Sequence, residues 1–165
     1  MRWALARGAR SVVLAGQSMG GGVVAAFLGH SPLAQKVTRV VLDAPMLDLH
    51  PAVGHQADRH LRPVIGRLRA PLIWTAKKIA SARFGVDWPA TSYLDETTWL
   101  KVPALVTHGE DDPRVPVSIS IRLSELQPSL VTLEQFPGAG HLESWNIDRA
   151  RYTSLVESFL EPAKS

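Results

Sequence analysis

The sequence predicts an α/β fold: a mainly parallel sheet of about four strands with helices on both faces. Three observations carry that prediction. Apolar runs of strand length alternate with amphipathic segments of helical period. The first of these runs, Ser11–Ala15, is apolar after its serine, as expected of a strand buried on both faces. That run also passes through the glycine-rich turn Gly16-Gln17-Ser18-Met19-Gly20 directly into a helical segment.

The elements follow in order. Met19–Gly29 is predicted to be a helix, with Val23, Val24, Phe27 and Leu28 on one stripe. The glycines at 20, 21 and 22 allow this helix to lie close to the sheet. Val37–Asp43 is the second strand, closed by Ala44-Pro45. From Met46 to Thr98 the character changes, and Pro51, Pro63, Pro71 and Pro89 are expected to cut the segment into short pieces. Its best helix is Leu72–Arg83, where Leu72, Ile73, Ala76, Ile79 and Ala80 keep helical spacing. Residues 46–98 therefore read as a lid inserted between strands of a single domain covering 1–165.

Pro103–His108 is the third strand and Leu130–Phe136 the fourth. Val117–Gln127 fits either period. A parallel sheet needs a crossover at this point, which favours a helix. Asp148–Leu160 is the last helix, with Tyr152, Leu155, Val156 and Phe159 on one face and Pro162 beyond its end.

Composition narrows the class. The 165 residues are 45% hydrophobic and 20% charged, as in an ordinary soluble domain. There is no cysteine, so disulfides, thiolate metal sites and a cysteine nucleophile are excluded. A net charge of +3 does not by itself argue for nucleic acid. No apolar run reaches the ~18 residues of a membrane span. Arg2, Arg7 and Arg10 before an apolar run resemble a secretion signal, but Gln17, Ser18 and three glycines interrupt it. A cytoplasmic location is expected.

Ser18 is the first residue with chemistry attached. A strand, a Gly-x-Ser-x-Gly turn and a helix place a serine hydroxyl clear of the sheet. A side chain at Gly16 or Gly20 is expected to collide in so tight a turn. A serine hydroxyl is a weak nucleophile without a base, and the base needs an orienting partner. Two later strand ends supply both: His108-Gly109-Glu110-Asp111-Asp112-Pro113-Arg114-Val115-Pro116 and Gly138-Ala139-Gly140-His141. Ligands of open parallel sheets bind beyond the carboxyl ends of the strands, where Ser18, Asp112 and His141 all fall.

With these three ordered motifs, Gly-Gln-Ser-Met-Gly-Gly, His-Gly-x-x-Asp-x-x-Val-Pro and Gly-x-Gly-His, the chain resembles the C-terminal portion of the α/β-hydrolase superfamily. The resemblance runs from Met1 to about Leu160, although the lid matches nothing specific. It implies a Ser-His-Asp serine hydrolase that forms an acyl-enzyme with a small-molecule ester or related acyl substrate. Ser18 would be the nucleophile, His141 the base and Asp112 the acid. The Met19 N–H would be one oxyanion-hole donor. Asp111 and Asp43 are alternative acids, the latter because some superfamily members place the acid at that strand end. No cofactor is implied.

The resemblance also implies strands ahead of Ser11–Ala15, one of whose loops supplies the second oxyanion donor. Only Met1–Arg10 lies upstream here. Impaired catalysis is therefore expected, and so is self-association through an exposed first strand. An inactive or complementing fragment is the alternative.

Other patterns carry less. His50, His55 and His60 recur every five residues, ~140° apart on a helix, so they share no face and no metal site is expected. His30 and His108 read as structural. Arg59, Arg62, Arg67, Arg69, Lys77, Lys78 and Arg83 form a basic stretch that reads as a solvated face, with an anionic substrate group or a membrane surface as the sharper option. Gly16-x-x-x-Gly20-x-Gly22 followed by Asp43 also resembles the nucleotide turn of short-chain dehydrogenases, but neither Tyr93 nor Tyr152 has a lysine four residues on.

Overall fold

A computed structural model of the chain describes residues 1–65 and 68–161, with the side chains of all of these except 58–65 and 69. Helix α1 (Arg2–Ala6) precedes β1 (Val12–Gln17), α2 (Met19–His30) and β2 (Val37–Asp43). Two long helices follow, α3 (Leu49–Ile65) and α4 (Arg69–Phe84). The chain then runs through β3 (Ala104–Gly109), α5 (Ser118–Leu126), β4 (Val131–Phe136), α6 (Ser144–Ile147) and α7 (Arg149–Leu160). The ambiguous segment after β3 is thus a helix, as the crossover requires.

The four strands are parallel and stand in chain order, β1-β2-β3-β4. This order has no reversal, unlike the doubly wound sheet that binds dinucleotides at its switch point. Register aligns the carboxyl ends: Gln17 pairs with Asp43, Asp43 with Thr107 and Gly109 with Phe136. One face of the sheet presents Val40, Leu42, Ala104 and Val106 to Val24, Ala25 and Leu28 of α2 and to Ile119 and Leu123 of α5. The opposite face meets α7, where the Tyr152 ring lies 6.1 Å from that of Phe136.

Several expectations need correction. β1 is not buried on both faces. It is a sheet edge whose residues alternate between half-buried or buried and exposed, and Val13 is 42% exposed. An unbroken apolar run shows that a strand can be covered, not that a helix lies on each side. On α2, Val24 and Leu28 are buried but Val23 is 67% exposed, because it has rotated off the sheet-facing stripe. The prolines do not fragment residues 46–98. Pro51 and Pro71 occupy the first turns of helices 17 and 16 residues long, where a missing N–H costs nothing. Pro89 opens a short 3₁₀ turn.

The glycines after Ser18 divide. A Cβ at Gly21 would come within 2.5 Å of the Pro45 Cβ, so α2 rests directly on the end of β2. A Cβ at Gly20 would meet nothing within 4 Å. Among the described residues no helix is long and apolar enough to cross a membrane.

These contacts yield a paired prediction. Gly21→Val overpacks the α2–Pro45 contact and lowers the thermal midpoint by at least about 4 °C. Gly20→Ala, which gains helix propensity in open space, leaves the midpoint unchanged or higher. Calorimetry or circular dichroism reads both, and equal losses at the two positions would refute the packing account.

Candidate active site

Ser18 stands between β1 and α2 with φ 49° and ψ −120°, a conformation that costs a non-glycine residue of the order of 1–3 kcal/mol. Its neighbours hold it there. The Ser18 N–H donates to the Asp43 carbonyl at 3.0 Å. The Ser18 carbonyl accepts from the N–H groups of Gly21 at 3.0 Å and Met46 at 2.9 Å. A Cβ at Gly16 would lie 2.7 Å from the Gly20 carbonyl oxygen, so glycine is required there, whereas space does not require it at Gly20. Met19 is the first residue of α2. Its N–H has no acceptor within the helix and lies at the positive end of the helix dipole.

The acid and the imidazole arrive on two loops that are tied to each other. The Asp111 N–H donates to the Ala139 carbonyl at 3.1 Å, and the Glu110 N–H to the Phe136 carbonyl at 3.1 Å. Gly138 and Leu142 take φ of 75° and 60°, folding the second loop back over the sheet edge. The Gly140 N–H donates to Glu143 Oε2 at 3.0 Å, which closes the loop around His141.

Three side chains 94 and 29 residues apart in sequence then meet. His141 Nδ1 lies 2.7 Å from Asp112 Oδ2, and His141 Nε2 lies 3.0 Å from Ser18 Oγ. A carboxylate only accepts, so Nδ1 carries the hydrogen and the neutral ring turns a lone pair on Nε2 toward the serine hydroxyl. The arrangement can take the Ser18 proton as Oγ attacks and stabilise the resulting imidazolium.

The Asp112 side chain is fully buried and His141 is 10% exposed. Burial by itself would raise the Asp112 pKa. Contacts from the His108 and His141 rings, with the N–H groups of Val115 and Arg114, outweigh burial and hold it well below its ordinary value. Those two amides donate to Oδ1 at 3.0 and 2.7 Å.

The other candidates stand elsewhere. Asp111 is exposed and makes no side-chain bond within the site. Asp43 is 4% exposed at the end of β2, and its Oδ1 has no hydrogen-bond partner. Burial raises its pKa, against the Thr107 and Tyr152 hydroxyls and the charges of His108 and His141. Sequence reasoning missed two rings. His55 Nε2, on α3, lies 3.3 Å from the Asp112 carbonyl. His108, read as structural, lies 3.4 Å from Asp112 Oδ2 through Nε2. Its place three residues before the acid loop's Asp111 was the available signal.

Among the described residues no group of three or more His, Asp or Glu gathers as a metal site. The side chains of His60, Arg59, Arg62, Arg67 and Arg69 lie outside the described residues. Of the basic stretch, Lys77 and Lys78 lie over the rings of Trp88 and Trp74.

Comparison with known proteins speaks to the fold. Residues 73–146 match the model of a family described as the alpha/beta hydrolase fold. Residues 4–85 match that of serine aminopeptidase, S33. No curated protein sequence matches the chain. Among solved structures, an esterase from Pyrococcus furiosus is 20% identical with a TM-score of 0.62, over 92% of this chain and 53% of that one. An esterase from a Rhodococcus species is 21% identical with a TM-score of 0.59, over 95% and 68%. An alpha/beta hydrolase from a Medee basin deep-sea metagenome is 15% identical with a TM-score of 0.63, over 99% and 70%. The chain has the α/β-hydrolase fold, with the two family models together spanning residues 4–146, and it covers between 53% and 70% of the length of these three structures.

The buried carboxylate makes stability depend on pH. A depressed native pKa adds stability above the ordinary value of 3.8, and that stability is lost as the pH falls toward the native value. Urea midpoints of the parent are therefore expected to fall more steeply below about pH 4 than those of Asp112→Asn. Parallel pH profiles for the two proteins would refute this.

Proposed function

We propose that the protein is a serine hydrolase acting on carboxylic esters or related acyl compounds through an acyl-enzyme. One observation carries the reading: Ser18, His141 and Asp112 form a single hydrogen-bonded chain at the carboxyl edge of the sheet. Ser18 Oγ attacks the acyl carbon while its proton passes to His141 Nε2. The Met19 N–H donates to the oxyanion that develops. His141 returns the proton to the departing alcohol, and water repeats the sequence to release the acid. The esterases among the similar folds support the same reaction class.

Two adjoining apolar hollows support an apolar acyl or alcohol part in the substrate. The smaller, about 170 Å³, is lined by Met46, Leu49, Ala52, Val53 and Gln56, and Met46 is the residue bonded to the Ser18 carbonyl. The larger, about 530 Å³, shares Val53 and continues between α3 and α4 past Ala57, Leu72, Ile73 and Trp88.

The test is covalent labelling by a fluorophosphonate probe together with hydrolysis of p-nitrophenyl esters. Ser18→Ala is expected to abolish both, and labelling that persists in the variant removes Ser18 from its role. Val53→Trp is expected to fill the neck between the hollows and lower kcat/KM for octanoate about tenfold relative to acetate. An unchanged ratio would detach the hollows from the substrate.

A second reading has its own observation, the unpaired outer edge of β1. By this reading the chain completes its sheet with a strand from another copy or chain, and is inactive alone. Size-exclusion fractions separate the two readings. Labelling confined to an oligomer supports completion, and a monomer that labels overturns it.

A further inference from the structure

We propose that His108 is a positioning residue that sets the orientation of the Asp112 carboxylate toward His141. The proposal rests on the reading of Ser18, His141 and Asp112 given above. His108 is the next-to-last residue of β3, whose residues are all buried, and its side chain is wholly out of solvent. Its ring joins three elements. Nε2 lies 3.0 Å from the Val115 carbonyl and 3.4 Å from Asp112 Oδ2, while Nδ1 lies 2.6 Å from Ser120 Oγ on α5. Both groups facing Nε2 are acceptors, so Nε2 carries the hydrogen. In the neutral ring Nδ1 is then left to accept the Ser120 hydroxyl, which is itself fully buried. The tautomer is set by its neighbours.

Two consequences follow for the acid. The Nε2–H bond grips the Val115 carbonyl, and the Val115 N–H is one of the two donors to Asp112 Oδ1. The turn that holds one carboxylate oxygen is thereby anchored to β3. The same N–H presents its positive end to Oδ2, the oxygen that receives the His141 Nδ1–H. Without His108 the turn loses its anchor, and Oδ2 keeps only the His141 ring, which also has to move a proton. The carboxylate can then rotate, and the ring it steers loses alignment with Ser18. His108 does not touch substrate in this account. It acts through Asp112.

The test compares two amides of different reach in the full chain. His108→Gln can extend an N–H to the Val115 carbonyl, and His108→Asn cannot. Steady-state hydrolysis of p-nitrophenyl acetate is measured with thermal midpoints and the far-downfield proton resonance of the His141 Nδ1–H. The Asn variant is expected to lose about 10- to 100-fold in kcat with little change in KM, and to lose the downfield resonance. The Gln variant is expected to stay within about threefold of the parent and to keep the resonance.

A folded Asn variant that retains both kcat and resonance overturns the proposal, as do Asn and Gln variants that behave alike. If the Asn variant does not fold, Ser120→Ala takes its place. It removes the hydroxyl that holds the His108 ring through Nδ1 and is expected to cost kcat several-fold, and an unchanged rate and resonance there overturn the proposal. The resonance does not depend on turnover. A parent without esterase activity therefore counts against the hydrolase reading, while the resonance still decides the role of His108.

Discussion

A negative charge removed from water is the constraint on which the site depends. A carboxylate is stable in a protein interior only when its lone pairs are met by donors. Asp112 meets this requirement with two backbone amides on one oxygen and two imidazole N–H groups facing the other. Those four groups come from the acid's own turn, from β3 and from the loop after β4. Satisfying the charge therefore draws three pieces of chain to one place. The placement of His141 over Ser18 follows from that gathering, because the ring's other nitrogen must point away from the carboxylate.

The sheet makes this gathering possible at low cost. Parallel strands in simple chain order bring their carboxyl ends to one rim, so residues separated by long crossovers share an edge. Backbone strain is then confined to points where tight packing holds it. Ser18 and Leu142 take left-handed backbone angles beside the site, as Ala44 does at the end of β2. Each lies in a turn leaving a strand or leading toward a helix, and backbone hydrogen bonds fix Ser18 and Ala44.

Much of this was legible in the residues. The strand from Val37 to Asp43 has the boundaries its apolar run implies, and the serine, acid and imidazole motifs fall at strand ends in the expected order. Legibility failed where one residue type permits two environments. Nothing local distinguishes a covered β1 from one with an open face, because Val13 and Ala15 suit either. Pro51 and Pro71 look like breaks until their helices are seen to begin two residues earlier. Of three candidate carboxylates, only the turn geometry brings Asp112 to His141, leaving Asp111 outside and Asp43 beneath. His55 was opaque because an imidazole on a helix gives no local sign of which distant acceptor it meets, and the place of His108 pointed to the acid loop but not to the carboxylate oxygen it faces.

One backbone bond ties the segment between β2 and β3 to the site. The N–H of Met46 holds the carbonyl of Ser18, and Met46 is also where the chain departs toward α3. The same helix grips the acid's carbonyl through His55. The segment is thus fastened to Ser18 at one end of the hydrogen-bonded chain and to Asp112 at the other. Two parts of a fold that share their fasteners cannot drift independently, so any shift of this segment pulls on the serine and the carboxylate together.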